Sequence, residues 1–313
     1  MATYLVTGGC GFIGSHLCDA LVEGGHRVRV LDNLSTGHRH NLPEGVELRV
    51  GDVADSSAVR SALDGVDGCF HLAAVASVER SVEDWIGTHR VNLGGTINVL
   101  DAARGAADGR PVPVVYASSA AVYGDNASMP LGETSQARPL SPYGADKLAS
   151  ELHARVATLM HGVPTTCFRF FNVYGPRQDP RSPYSGVISI FIDRLLRGSA
   201  LGVHGDGQQA RDFVYVLDVV RFLLAGMEEA DGAHVYNVCT GSPTTILQLA
   251  RVLAVLHGSS PRIDHLPPRA GDIHTSLGDP ARARRALRCA PQWSLADGLR
   301  MTLQHQAALR QAA

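Results

Sequence analysis

Short apolar runs alternate along the first half of the chain with longer stretches whose apolar residues recur every three or four positions. Residues 3–8, TYLVTG, read as a strand, and 12–25, FIGSHLCDALVEGG, as a helix closed by glycines. Strands follow at 27–32 (RVRVLD) and 46–52 (VELRVGD), then a helix over 55–65 that Asp55 is placed to cap. Further strands are predicted at 66–74, 112–119 and 165–172, with helices near 89–105 and 144–161 between them. This alternation predicts an α/β fold with a doubly wound, Rossmann-type parallel sheet.

After residue 172 the rhythm loosens. VYGPRQDPRSPYSG (173–186) reads as an ordered loop, RDFVYVLDVVRFLLAGME (211–228) returns to a strand and a helix, and a last helix is predicted near 295–311. The expected organisation is a sheet domain of 1–171 plus about 206–238, with a smaller mixed α/β lobe from about 172–205 plus 239–313.

Composition narrows the function classes. A formal net charge of −2 gives no electrostatic reason to expect a nucleic-acid or membrane partner. No apolar run reaches the length of a membrane-spanning helix, and MATYLVTGGCGFIG enters a strand directly, without a signal-like core, so a cytoplasmic protein is expected. The six cysteines form no CxxC pair and the histidines no metal-binding cluster, so no metal is expected.

TGGCGFIG places Gly8, Gly11 and Gly14 in a GxxGxxG pattern between a strand and a helix. There Gly8 permits the tight turn, Gly11 lets the backbone approach a pyrophosphate, and Gly14 lets helix and strand pack closely. Asp32 ends the second strand, where a carboxylate holds ribose hydroxyls and repels a 2′-phosphate; this favours NAD over NADP, with Arg39 nearby as the opposing feature. Asp52 and Val53 suit an adenine contact, and Asp52 suits a turn cap equally well. Tyr143 and Lys147, four apart on a predicted helix, share one face. An ordinary phenol titrates near ~10, so a nearby ammonium is needed to favour tyrosinate.

Taken together, and with DNLSTGHRHNL (32–42), SSAAVYG (118–124), SPYGADK (141–147), RFFNVYGPRQDP (169–180), GDGQQARDFVYVLDV (205–219) and RAGDI (269–273), the chain resembles the extended short-chain dehydrogenases/reductases. Within them it resembles the NAD-dependent sugar epimerases/dehydratases, and most the UDP-glucose 4-epimerase-like group. The resemblance implies NAD as cofactor, a UDP-sugar as substrate, and Ser119, Tyr143 and Lys147 as catalytic residues. It implies pyrophosphate contacts from Phe12 and Ile13, adenosine contacts from Asp32, Asn33, Ser35, Thr36 and Gly37, and a cleft lined by Leu72, Ala73, Ala74, Ala76 and Asn92, with Phe171 against the nicotinamide. On the substrate side it implies Asn172, Val187, the Gly202–Val203–His204 segment beside uracil, Arg211 and Arg269 on the diphosphate, and Asp272 on the ribose.

Dehydratases of this branch carry Asp and Glu directly after the strand-end Ser/Thr, and related decarboxylases a Glu in this loop. Here Ala120 and Ala121 stand at those positions, and alanine can neither give nor take a proton. The resemblance therefore implies oxidation at C4 followed by re-reduction from the other face. The resemblance implies 4-epimerisation of a UDP-hexose, UDP-glucose/UDP-galactose and also the N-acetylated pair. In the resembling epimerases the position four residues after the aspartate Asp272, here Ser276, limits the space beside the sugar's 2-substituent, and a serine leaves room that a Tyr would fill. The alternatives are a 4-epimerase of UDP-glucuronate or a UDP-pentose, and a non-catalytic NAD-binding regulator. Apolar residues such as Ile97, Val99, Leu100, Leu148, Leu152, Val156 and Leu159 on two helices, together with the resemblance, imply a homodimer.

Overall fold

The computed structural model describes residues 1–105, 109–179, 186–268 and 273–312. Seven apolar strands align in one sheet: β1 (Thr3–Thr7), β2 (Arg27–Asp32), β3 (Glu47–Val50), β4 (Gly68–His71), β5 (Val114–Ser119), β6 (Thr165–Phe170) and β10 (Ala233–Val238). Their order is β10-β6-β5-β4-β1-β2-β3, and every pairing is parallel. Parallel strands need helical crossovers, which cover both faces, and so β6 is buried at all six positions.

Alternate residues serve opposite faces. Val6, Val30 and Phe168 pack with Leu17 and Leu21 of α1 (Phe12–Glu23) and with Phe222 and Leu223 of α8 (Val216–Glu228). Leu5, Leu31 and Cys167 pack with Val59 and Leu63 of α2 (Ser56–Leu63), Val99 of α5 (Gly95–Ala103) and Ala154 of α6 (Pro142–His161). Each such aliphatic side chain contributes roughly 1.5–3 kcal/mol on burial. The strand order reverses between β1 and β4, which opens a crevice at the C-terminal ends of those strands.

Asp55 caps α2 as expected, accepting from the N–H groups of Ser57 and Ala58. The helix predicted near 89–105 is more broken than its pattern implied. It consists of α4 (Trp85–His89), a π-helical turn (Arg90–Gly94) and α5, and it is preceded by α3 (Val78–Glu83). Within the π turn, the buried amide of Asn92 accepts from Val75 N (2.8 Å) and donates to Val75 O (3.2 Å), bonds that apolar periodicity does not report.

The smaller lobe holds a four-stranded sheet in which β9 (Ala210–Tyr215) pairs with β7 (Asn172–Tyr174), β11 (Pro243–Thr245) and β13 (Thr275–Ser276). A second, parallel pair joins β8 (Leu201–His204) to β12 (Ile263–Leu266). Helices α7 (Val187–Leu196), α9 (Ile246–His257) and α11 (Leu295–Ala312) close over a core that includes Phe191, Leu201, Leu253 and Leu299, while the short α10 (Ala281–Leu287) packs its Ala283 and Leu287 into the core of the large sheet. The segment 206–238 was expected wholly in the sheet domain. Instead β9 lies within the small sheet, and the chain returns to the large one with α8 and β10. No described helix is long and apolar enough to cross a membrane.

Candidate active site

The turn after β1 is shaped by what its glycines exclude. Gly8 has φ +72°, and a Cβ there would lie 2.7 Å from Ala73 N. A Cβ on Gly14 would lie 2.2 Å from Gly8 O, so only glycine lets α1 start this close to the turn. Gly11 precedes the helix without a side-chain cap, which leaves the first-turn N–H groups for a ligand at the positive end of the helix dipole.

Gly8, Gly11, Phe12, Ile13 and Gly14 line a cleft that continues past Asp32, Asn33, Ser35, Thr36, Gly37, Asp52 and Val53 on one side and Leu72, Ala73, Ala74 and Ala76 on the other. It ends at Ser119, Tyr143, Lys147 and Phe171. The buried carboxylate of Asp32 is aimed by backbone donors: it accepts from Cys10 N (2.9 Å) and Leu34 N (2.8 Å). Asp52 lines the cleft, and it also caps the turn by accepting from Ala54 N (2.8 Å), with a further bond from the Asn33 amide (3.2 Å). Arg39 lies in a short 3₁₀ turn (Arg39–Asn41) and is not among the lining residues. Asn92 was expected in the cleft wall; it is fully buried and holds the wall from behind, through Val75. Glycines with no room for a Cβ, uncapped N–H groups and a carboxylate at the end of β2 together fit NAD.

At the far end of the cleft, β5 delivers Ser119 and α6 delivers Tyr143 and Lys147. Ser141 caps α6 by accepting from Gly144 N (3.1 Å), with Pro142 in the first turn. Ser119 stands beside Tyr143 at this end of the cleft, and Ser119 Oγ accepts from Ala121 N (3.1 Å). Burial raises the Tyr143 phenol above its ordinary value, and the neighbouring Ser119 hydroxyl works against that rise. Lys147 donates to Ala117 O (2.8 Å), with its ammonium 5.9 Å from the centre of the Tyr143 ring. Burial pulls Lys147 down to about 8, opposed by Cys167, Asp146 and Glu151.

A second cavity adjoins the first. Ala76 lines both, and the neighbours Phe171 and Asn172 line one each. Asn172, Val187, Gly202, His204 and Arg211 line the second cavity. Gly186 precedes α7 without a side-chain cap, so the helix start at Val187 presents N–H groups there, and Arg211 stands on β9. Val203 differs from expectation: its side chain is fully buried in the lobe's core, because alternate residues of β8 face inward. Ser276 lines neither cavity, yet it pairs in register with Arg211. Arg269 and Asp272 lie outside the described residues.

Sequence reasoning passed over several lining residues. Gln178 lines the first cavity, and Ser77, Glu79, Arg194 and Gln209 the second. Gln178 and Gln209 sit inside YGPRQDP and GDGQQARDF, segments that were informative as wholes, whereas Ser77 and Arg194 occupy helix starts and faces with no distinguishing local pattern.

Comparison with known proteins agrees with this geometry. The NAD dependent epimerase/dehydratase family matches residues 4–239. The chain is 37% identical over 307 residues to a UDP-glucose 4-epimerase of Mycolicibacterium smegmatis, covering 96% of this chain and 97% of that one. It is 33% identical to a UDP-N-acetyl-alpha-D-glucosaminuronate decarboxylase of Bacillus cytotoxicus, covering 96% of each. The crystal structure of a UDP-glucose 4-epimerase with UDP-glucose from Thermotoga maritima superposes with a TM-score of 0.93 at 37% identity, covering 98% of this chain and 99% of that one.

Proposed function

Since the chain belongs to the NAD dependent epimerase/dehydratase family, we propose that it is a 4-epimerase of UDP-hexoses, acting on UDP-glucose/UDP-galactose and on the N-acetylated pair. The observation that carries this reading is the site at the seam of the two cavities. There Ser119, Tyr143 and Lys147 stand together beside Ala120 and Ala121. These residues supply a base and its supporting charge but no further acid or base for elimination or decarboxylation.

In the first cavity, Gly8, Gly11 and the N–H groups of Phe12 and Ile13 would hold the NAD pyrophosphate, and Asp32 a ribose. Bound there, NAD supplies reversible hydride acceptance. Tyr143 takes the proton of the sugar 4-hydroxyl and later returns it, with Ser119 orienting the hydroxyl and Lys147 favouring the tyrosinate. In the second cavity, Arg211, Asn172 and the start of α7 would anchor the nucleotide diphosphate while the 4-keto sugar turns over, with Arg269 and Asp272 completing that grip.

The chain divides into an NAD-binding domain and a sugar-nucleotide lobe in this reading. Two copies pair through α5 and α6, where Ile97, Leu152, Val156 and Leu159 are exposed; light scattering reads out that state. Val99 and Leu100, expected on the same surface, belong to the chain's own core. Six buried free thiols among the described residues support a reducing, cytoplasmic setting.

Incubation with a panel of UDP-sugars, followed by identification of the epimers, tests the proposal. Interconversion of UDP-glucose and UDP-galactose without any 4-keto-6-deoxy product is expected. A decarboxylated or 6-deoxy product would overturn the reading of Ala120 and Ala121.

A further inference from the structure

Below the catalytic pair lies a buried ion pair that the proposed chemistry does not use. Glu151 follows Tyr143 and Lys147 by successive steps of four on α6, so the three side chains share one face. Its carboxylate receives both prongs of the Arg169 guanidinium, Nε at 2.9 Å and the terminal nitrogen at 2.6 Å. It also accepts from Ser118 Oγ at 2.6 Å. Glu151 is 8% exposed and Arg169 6%.

The position of this pair gives it reach. Ser118 is the residue before Ser119 on β5, and it faces Arg169 across the β5–β6 ladder. Arg169 donates onward to the Tyr123 hydroxyl (2.9 Å) and to Glu133 O (3.2 Å), and Tyr123 donates to Asn237 Oδ1 (2.6 Å) on β10. Tyr123 ends the short turn that Ser119 begins. One carboxylate on the helix of Tyr143 therefore ties down the strand before Ser119 and, through Arg169, the turn after it.

Buried ion pairs are a poor source of stability, since desolvation consumes most of their attraction, but their geometry is exacting. We infer that Glu151 and Arg169 are positioning residues that set the reach between Ser119 and Tyr143 by clamping both ends of the 119–123 turn to α6. The inference rests on Tyr143 as the catalytic base. Among the described residues, the ammonium of Lys147 on the same helix faces Tyr143, and Lys147 in turn faces Asp146, Glu151, Cys167 and His71. Burial raises the Tyr143 phenol and the neighbouring Ser119 hydroxyl works against that rise, so a turn that drifts from Tyr143 lets the phenol climb further.

Ser118→Ala cuts the clamp while leaving the ion pair whole. In the NAD-loaded enzyme, kcat should fall about tenfold with KM and bound NAD unchanged. The tyrosinate absorbance titration, read as a difference against Tyr143→Phe, should move up by about half a unit to one unit. Glu151→Gln should lower kcat further at unchanged KM. If that variant fails to fold because Arg169 loses its partner, Ser118→Ala still decides. Wild-type kcat with an unmoved titration in Ser118→Ala would overturn the inference, as would equal losses of kcat and bound NAD. Should the unaltered protein turn over no UDP-sugar, the functional reading fails, while the titration still reports whether the clamp positions Ser119.

Discussion

The two cavities that meet at Ala76 are built from different material. The cofactor cleft is made largely by backbone: a glycine turn, an uncapped helix start and strand ends locked in a seven-stranded parallel sheet. The neighbouring cavity is made largely by side chains, among them Arg211, Arg194, Asn172, His204 and Glu79, carried on short strands and helix ends. Backbone geometry cannot be exchanged by single substitutions, whereas a side-chain pocket can be reshaped one residue at a time. The first half therefore fixes the cofactor, and the second is where relatives with different substrates can diverge.

The sharpest test lies where the halves join. Tyr143→Phe keeps the ring and its packing but removes the proposed base, so turnover should drop by about 10²–10⁴-fold. Bound NAD, measured after denaturing the purified protein, should stay near the unaltered level. Near-normal turnover would remove Tyr143 from the mechanism and break the idea of a seam that serves both cavities.

A smaller effect is expected within the cofactor half. Gly14→Ala puts a methyl group 2.2 Å from Gly8 O, and backbone on both sides cannot yield cheaply. Overpacking of this kind costs about 1–3 kcal/mol, so NAD should bind roughly ten- to a hundredfold more weakly by calorimetric titration. Affinity for UDP alone should be unchanged if the cavities are as separable as their construction implies.

The same contrast explains what was legible in the chain. The main sheet, α1, α2 with its Asp55 cap, and the glycine turn with Asp32 follow from local patterns, because each is a short-range consequence of turn geometry or burial period. The other cleft residues from Phe12 to Ala76, apart from Asp52 and Val53, come from the family resemblance. Asn92 was misplaced because its role is a bond to Val75, seventeen residues away, that no spacing encodes. Val203 was assigned to the pocket as part of a segment, but strand alternation turns its side chain inward. The Glu151–Arg169 clamp was invisible for a related reason: its members lie on α6, β5 and β6, and only the sheet register brings them together.

An effect no larger than that of Gly14→Ala is expected on substrate choice in the side-chain half. Ser276 pairs with Arg211 on β9, and two residues further on a Cβ at Gly278 would lie 2.7 Å from Phe171. The segment thus runs from the proposed diphosphate anchor to the ring at the end of the cofactor cleft, although Ser276 itself lines neither cavity. A serine there is small, so UDP-N-acetylglucosamine should be turned over alongside UDP-glucose. Ser276→Tyr adds a ring whose cost falls mainly on the bulkier sugar, and a clash of about 1–3 kcal/mol would shift the ratio of the two kcat/KM values by roughly ten- to a hundredfold against the N-acetylated substrate. The measurement is kcat/KM for both substrates in both proteins. Equal losses would mean that the ring disturbs the β9–β13 pairing and with it Arg211, rather than the sugar pocket. No activity of the unaltered protein on the N-acetylated sugar would place the size limit at another residue.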